Sequence, residues 1–338
     1  MVRQINPSLA RLWTSHNARQ YGVRKPLVLR DLSEKEQRIL DYLEHGVTEA
    51  QLAALGQITG TTESEVASIL DRLDSRLVKT ETFLPELTSD QVLQRFSELS
   101  RLYFAESENP AQLLRKRRES KVFIDSLTRT GLVIAKALDA SEIGRIITMD
   151  QSRIQPADTL NHGYSPTQLG AQRAKVAAGM VRNSSLELHS RHSRTTDHLD
   201  LAILIANDII DPASYQVWMA RDVPHLAICF DEEGVEVSHI VIPGVTPCLG
   251  CLELNRMQEP ARRVIAPQLL ALNRSNDDSS TTLFAAGMAL NQTLNLIDST
   301  SDTSWSYRLD RFGKAFSFQA ESSNCGCRLA PEMHSVLT

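Results

Sequence analysis

The chain has 338 residues, enough for two domains that each bury a core, and its 42% hydrophobic and 23% charged content is that of a soluble globular protein. No run of eighteen apolar residues occurs, and the opening M-V-R-Q-I-N-P-S-L-A-R-L-W lacks the apolar core of a secretory signal, so no membrane partner and a cytoplasmic location are expected. A net charge of −5 gives no overall attraction to nucleic acid.

In chain order, the first block runs from Leu27 to about Glu81 and reads as a short strand, three helices and an edge segment. Each helix start carries a capping box: Ser33 with Glu36, Thr48 with Gln51, and Thr62 with Glu65. Behind these caps Ile39, Leu40 and Leu43, then Leu52 and Leu55, then Val66, Ile69, Leu70 and Leu73 recur at helical spacing. This is the skeleton of a winged helix-turn-helix. Charge argues against DNA as its ligand. From Asp31 to Glu81 there are eleven acidic and five basic side chains, and the third helix carries Glu63, Glu65, Asp71 and Asp74 where a recognition helix would need Lys and Arg. A transcription factor is therefore excluded, which leaves peptide recognition or an inert packing domain.

A helical stretch from Ser89 to Glu106 and the basic run L-L-R-K-R-R-E-S-K at 113–121 lead to the second block. Without interleaved aromatics, the basic run reads as a solvated helix end rather than a nucleic-acid patch. The expected division is a recognition domain over 1–85, a helical linker over 86–120 and an α/β domain over 121–338.

From Lys121 strand and helix alternate. K-V-F-I-D at 121–125, R-I-I-T-M-D at 145–150, L-D-L-A-I-L-I-A-N-D at 199–208 and H-L-A-I-C-F at 225–230 read as strands. G-L-V-I-A-K-A-L at 131–138, G-A-Q-R-A-K-V-A-A-G-M-V at 170–181 and P-A-S-Y-Q-V-W-M-A at 212–220 read as helices. Such alternation predicts an α/β fold with a doubly wound, mostly parallel sheet of Rossmann type. Asp150 ends the second strand where a nucleotide fold places the carboxylate for a ribose hydroxyl.

Four of the five cysteines form two tight pairs, Cys248 with Cys251 and Cys325 with Cys327. In a reducing compartment such pairs ligate metal more readily than they form disulfides, the alternative being unrelated buried cysteines. Cys229 lies in an apolar strand and reads as core. The nine histidines form no ligand cluster: His189 and His192 are isolated, and His225 starts a strand.

From Lys121 to Cys327 the sequence resembles the ThiF-type, ubiquitin-activating-enzyme-like adenylyltransferases. The likeness rests on the order of features: a first turn, the strand ending in Asp150, L-G-A-Q-R-A-K ending in Lys175, the strand ending in Asp208, P-G-V-T-P-C-L-G-C, and a late cysteine pair. Within that family I-P-G-V-T-P-C-L-G-C-L-E-L-N-R with a C-G-C near the end is similar to the degenerate bacterial branch associated with azoline-forming peptide modification. The resemblance implies that a winged-helix-like domain in front binds a leader peptide and that chains pair into homodimers. The helix F-A-A-G-M-A-L-N-Q-T-L-N-L-I at 284–297 is a candidate pairing surface or internal core. It also implies that Cys248, Cys251, Cys325 and Cys327 converge on one zinc ion, and four thiolates leave no open position, so the zinc would be structural.

The resemblance carries Gly131, Asp150, Lys175 and Asp208 over as nucleotide-site positions. Each also has a plain structural reading: Asp150 as a strand-end cap, Lys175 as an exposed helix lysine, Asp208 as a turn former. The family's GxGGxG-like turn lets phosphates approach bare backbone. Here that turn reads Ser126, Leu127, Thr128, Arg129, Thr130, Gly131, and only the last glycine remains. The family's arginine falls on Asn161 or His162, its second acid on Ser152, and no cysteine between Cys251 and Cys325 offers a thioester nucleophile. Catalytic residues and bound ATP are therefore not expected. The expectation is a degenerate, non-catalytic scaffold that binds a peptide or small protein and presents it to a partner modifying enzyme. The alternative is an ATP-dependent adenylyltransferase acting on the C-terminal carboxylate of a sulfur-carrier or ubiquitin-like protein.

Overall fold

The computed structural model describes residues 2–80, 88, 90, 96–104, 110–190, 198–257, 260–272, 275–299, 303–321 and 325–327. The chain divides into two compact units, Met1–Arg115 and Lys116–Thr338, and the division falls inside a helix, Pro110–Glu119. Among the described residues no helix is long and apolar enough to cross a membrane. The linker prediction over 86–120 falls partly outside the described residues, as does His192.

The first unit opens with strands the sequence reading did not contain. β1 (Val2–Ile5) is the centre of a three-stranded antiparallel sheet between β5 (Val47–Thr48) and β6 (Leu77–Thr80). β2 (Arg11–Ser15), β3 (Ala18–Tyr21) and β4 (Leu27–Leu29) form a second antiparallel sheet, with Tyr21 opposite Leu27 and Arg19 opposite Leu29. Helices α1 (Glu34–His45), α2 (Glu49–Thr59) and α3 (Glu63–Leu73) each start at a reciprocal capping box, on Ser33, Thr48 and Thr62. In each box the cap oxygen accepts an orphan amide of the first turn while the third helical residue reaches back to the cap amide. Ile5, Tyr21, Leu29, Ile39, Leu43, Leu55, Ile69 and Leu73 close one core beneath them. Glu63 and Asp71 lie on the exposed side of α3.

The second unit is built on an eight-stranded sheet. Its strands are β7 (Lys121–Ile124), β8 (Arg145–Thr148), β9 (Ser185–Leu188), β10 (Leu201–Asn207), β11 (His225–Asp231), β12 (Gly234–Val237), β13 (Trp305–Asp310) and β14 (Ala315–Gln319). The order is β14-β13-β12-β11-β10-β7-β8-β9. The five strands from β11 to β9 pair in parallel, and β12 to β14 add on antiparallel. Strand order reverses between β7 and β10, and a crevice opens at such a switch point beyond the carboxyl ends of the strands.

Each face of the sheet is covered. On one face the helices Arg129–Ala140, Arg173–Ala178 and Ser279–Asp298 pack over Val122, Ile124, Ile146, Ile203 and Ile228. On the other, Pro212–Met219 and Leu249–Arg256 pack over Phe123, Ile147, Ala202, Leu204 and Ala227. The helix predicted over 284–297 turns Ala285, Ala286, Ala289, Leu294 and Ile297 into this core, so the internal reading of that segment holds and these side chains are not offered to a second copy. Arg117 and Asp298 are both fully buried and meet in a two-point ion pair of 2.9 and 2.6 Å.

Candidate functional site

The two cysteine pairs meet. Cys248 is the N-cap of the helix Leu249–Arg256, and Cys251 lies one turn on, its amide donating to the Cys248 carbonyl at 2.9 Å. Gly326, with φ of 78°, turns the chain between Cys325 and Cys327 so that both thiols face the helix. The sulfur distances are 3.9 Å for Cys248–Cys251, 3.5 Å for Cys248–Cys325, 3.1 Å for Cys251–Cys325 and 3.5 Å for Cys251–Cys327. A tetrahedral metal with metal–sulfur bonds of about 2.3 Å sets its sulfurs about 3.8 Å apart. The cluster therefore fits a metal ion, and its all-sulfur donor set is compatible with zinc. Burial, then the neighbouring sulfurs, push the Cys248 and Cys327 thiols above their ordinary range. A divalent cation would reverse that balance by stabilising the thiolates.

Cys229 is outside this cluster, buried in β11, with its thiol pushed up to about 12 by burial. His189 pairs with Glu187 at 3.1 Å, and the fully buried His225 shares its Nδ1 with the Val223 carbonyl at 2.9 Å.

A second constellation surrounds the first turn of the sheet. A cavity of about 470 Å³ is lined by Ser126, Thr128, Arg129, Asp158, Arg173 and Asp277, among others. Gly131 has a packing reason: a Cβ there would stand 1.9 Å from the Ser126 carbonyl oxygen, so only glycine lets the helix approach the strand end this closely. Arg129 is buried and turned inward, its Nε 3.3 Å and its Nη2 3.2 Å from Asp277 Oδ2, and Nη2 also donates to the Asp277 carbonyl. Thr130 Oγ1 donates to the same carboxylate at 3.1 Å. The Asp277 carboxylate thus pairs with the guanidinium of this turn.

Asp150 is buried and its carboxylate is already well supplied. It accepts the amides of Leu127 and Ser152, each at 2.8 Å, and faces Arg173 at 3.4 Å. Burial alone would raise its pKa, but the Ser152 side chain, these two amides and the guanidinium outweigh burial and hold it below the usual carboxylate range. Arg173 also meets Asp158 at 2.7 Å. Lys175, two residues further along the same short helix, is exposed and lines no part of the cavity. Two residues are about 200° of helical turn, so Arg173 and Lys175 face opposite ways. Asp208 is buried at φ 65°, where it takes a left-handed turn and accepts from the Asn276 side chain at 3.1 Å. Asn161 and His162 are exposed, and neither lines the cavity. Asp158, Asp277 and Arg173 are site residues to which the sequence reading gave no role. For Arg173 there was a signal, since it shares a helix face with the buried Ala174 and Ala177.

No family model matches this sequence, and no curated protein does either. Solved structures do. MccB of E. coli with AMPCPP and MccA superposes with a TM-score of 0.69 at 14% identity, covering 96% of this chain and 98% of that one. The microcin C7 biosynthetic enzyme MccB in complex with N-formylated MccA gives a TM-score of 0.69 at 13% identity over 97% of this chain and all of the other. PaaA gives 0.62 at 14% identity, over 81% of this chain and 97% of its own. Over nearly its whole length, the chain has the fold of MccB.

Proposed function

We infer that this chain is a non-catalytic ThiF-type scaffold that binds a peptide and presents it to a partner enzyme. The observation that carries the non-catalytic part is the engagement of Arg129 by Asp277 at a turn that has lost its glycines. Four charged side chains line that cavity, two of each sign, and each cation is committed to an acid of the same chain. A triphosphate needs uncompensated positive charge and bare backbone amides. Supporting the reading, Arg129 and Arg173 are each paired with an acid, and Ser126, Thr128 and Arg129 stand at positions where the resemblance expects glycine-rich backbone.

Peptide binding is supported by MccB having been solved with the peptide MccA along the same overall fold. In this reading the first unit is a winged-helix-like recognition module. The outer edge of β4 has no strand partner among the described residues and would accept a peptide as a further strand, while the exposed Glu63 and Asp71 of α3 would favour basic side chains. Zinc held by the four cysteines would pin residues 325–327 to the helix Leu249–Arg256, a structural role. A cytoplasmic location and pairing of two chains belong to the same proposal.

The alternative, a working adenylyltransferase, is favoured by one observation: MccB has been solved with ATP and with AMPCPP. Calorimetric titration of the intact chain with ATP and magnesium separates the two. The scaffold reading expects no saturable heat at millimolar nucleotide, and a dissociation constant in the micromolar range would favour the alternative.

A further inference from the structure

A larger cavity, about 1040 Å³, opens on the other face of the sheet from Arg129 at the same switch point. Its walls come from the ends of three parallel strands and from the helix Pro212–Met219. Phe123 and Trp218 form an aromatic corner with ring centroids 4.7 Å apart and planes tilted by 49°. Met149, Leu204 and Val217 extend the apolar surface. Asp125 lies at its floor, one residue beyond the end of β7, and both carboxylate oxygens accept from the Ile205 amide at 3.0 and 3.2 Å. Asp125 also borders a smaller cavity of about 220 Å³ that runs on toward Leu269 and Leu272.

We propose that this cavity binds a primary ammonium group carried on an apolar or aromatic body, with Asp125 as counter-ion and Phe123 and Trp218 as walls. A carboxylate in an apolar recess is destabilised as an anion, and a cation entering the recess removes that penalty. Aromatic faces add to the attraction, because their quadrupole favours a desolvated cation. The charged groups that share the two cavities with Asp125 are Asp150, Asp211 and Arg221. Asp150 faces Arg173 at 3.4 Å, and Arg221 is exposed and lies 5.9 Å from the Trp218 ring at the rim. No cation among them faces Asp125 from the floor. Burial first, and then the Asp150 charge, push the Asp125 carboxyl up to about 7 against the opposing Ile205 amide. The ammonium ion should therefore compete with a proton near neutrality. This inference is independent of whether the first unit binds a peptide.

The test is calorimetric titration of the full chain at pH 8 with 2-phenylethylamine, with its neutral counterpart 2-phenylethanol, with N-acetyl-lysine methylamide and with adenosine. The proposal expects one or both amines to bind at least tenfold more tightly than the alcohol. It expects an affinity about tenfold lower at pH 6, where Asp125 is mostly protonated. The tighter of the two amines identifies the source as a free amine or a lysine side chain of a peptide. Asp125→Asn should abolish amine binding while the chain stays folded by circular dichroism, and Val217→Trp should do so by filling the cavity from its exposed wall. Equal affinity for amine and alcohol, adenosine bound in preference to both amines, or amine binding unchanged in Asp125→Asn would each overturn it.

Discussion

Arg129 and Asp277 meet at 3.2 Å across the first turn of the large sheet although 148 residues separate them in the chain. Both are largely buried, so each neutralises a charge that would otherwise be stranded. Asp277→Asn should lower the unfolding free energy by about 3 kcal/mol in urea denaturation, because Arg129 loses its counter-charge. Millimolar phosphate should restore part of that loss in the variant and leave the wild type unchanged. An equal response in both proteins would show that Asp277 does not occupy an anion position.

The cysteine cluster gives a metal prediction. Metal analysis of protein purified without chelator should return one zinc per chain. Cys251→Ser should destabilise the fold by more than about 3 kcal/mol, since binding energy at a four-thiolate site is folding energy. Metal-free protein with an unchanged melting temperature would contradict the assignment.

Asp125 gives a pH dependence. Its pKa is raised on folding to about 7, so between about pH 4 and pH 7 the native state holds a proton that the unfolded state has released. Stability from this group is therefore lost as pH rises through that window and stays low above it. Asp125→Asn should remove the loss, stabilising the chain at pH 8 by about 1–3 kcal/mol after allowance for partial exposure, with no difference near pH 3.5. Melting curves of the two proteins across this range measure it. A variant less stable at pH 8 would refute it.

The buried pair of Arg117 and Asp298 links the helix Pro110–Glu119 to the end of the long helix Ser279–Asp298. Asp298→Ala should cost about 3–5 kcal/mol by leaving the guanidinium unpaired. Replacing both partners with apolar residues should recover most of it, and urea denaturation of the single and double variants checks the difference.

Peptide recognition is tested by nuclear magnetic resonance. Titration with a basic leader-type peptide should shift the amides of Leu27–Leu29 and of α3. Shifts confined to the second unit, or produced instead by duplex DNA, would contradict the assignment.

The parallel strands β7, β8, β10 and β11 were legible because they are largely buried and read as apolar runs, as in A-I-L-I-A at 202–206, whereas the edge strand β9, with both ends exposed, was not. The three capped helices were legible because a capping box is a local pattern. β2 was not, because all five residues of R-L-W-T-S are exposed and no alternation marks a buried face. β13 and β14 carry mixed exposure, and their turn at Gly313 was the available signal. The cysteine spacing announced a cluster, whereas nothing local links Asp277 to Arg129, since their pairing exists only once the long helix packs beside the first turn. The resemblance points to Lys175 through L-G-A-Q-R-A-K, but helical geometry gives the inward position to Arg173.

Loss of adenylation is measured by ATP–pyrophosphate exchange in the presence of magnesium and a candidate peptide or carrier protein. With Arg129 held by Asp277 and no glycine among Ser126–Thr130, exchange should be indistinguishable from a protein-free control, both for the wild type and for Asp277→Asn. Exchange well above that control in the wild type, abolished by Asp150→Ala, would contradict the account and establish a working adenylyltransferase.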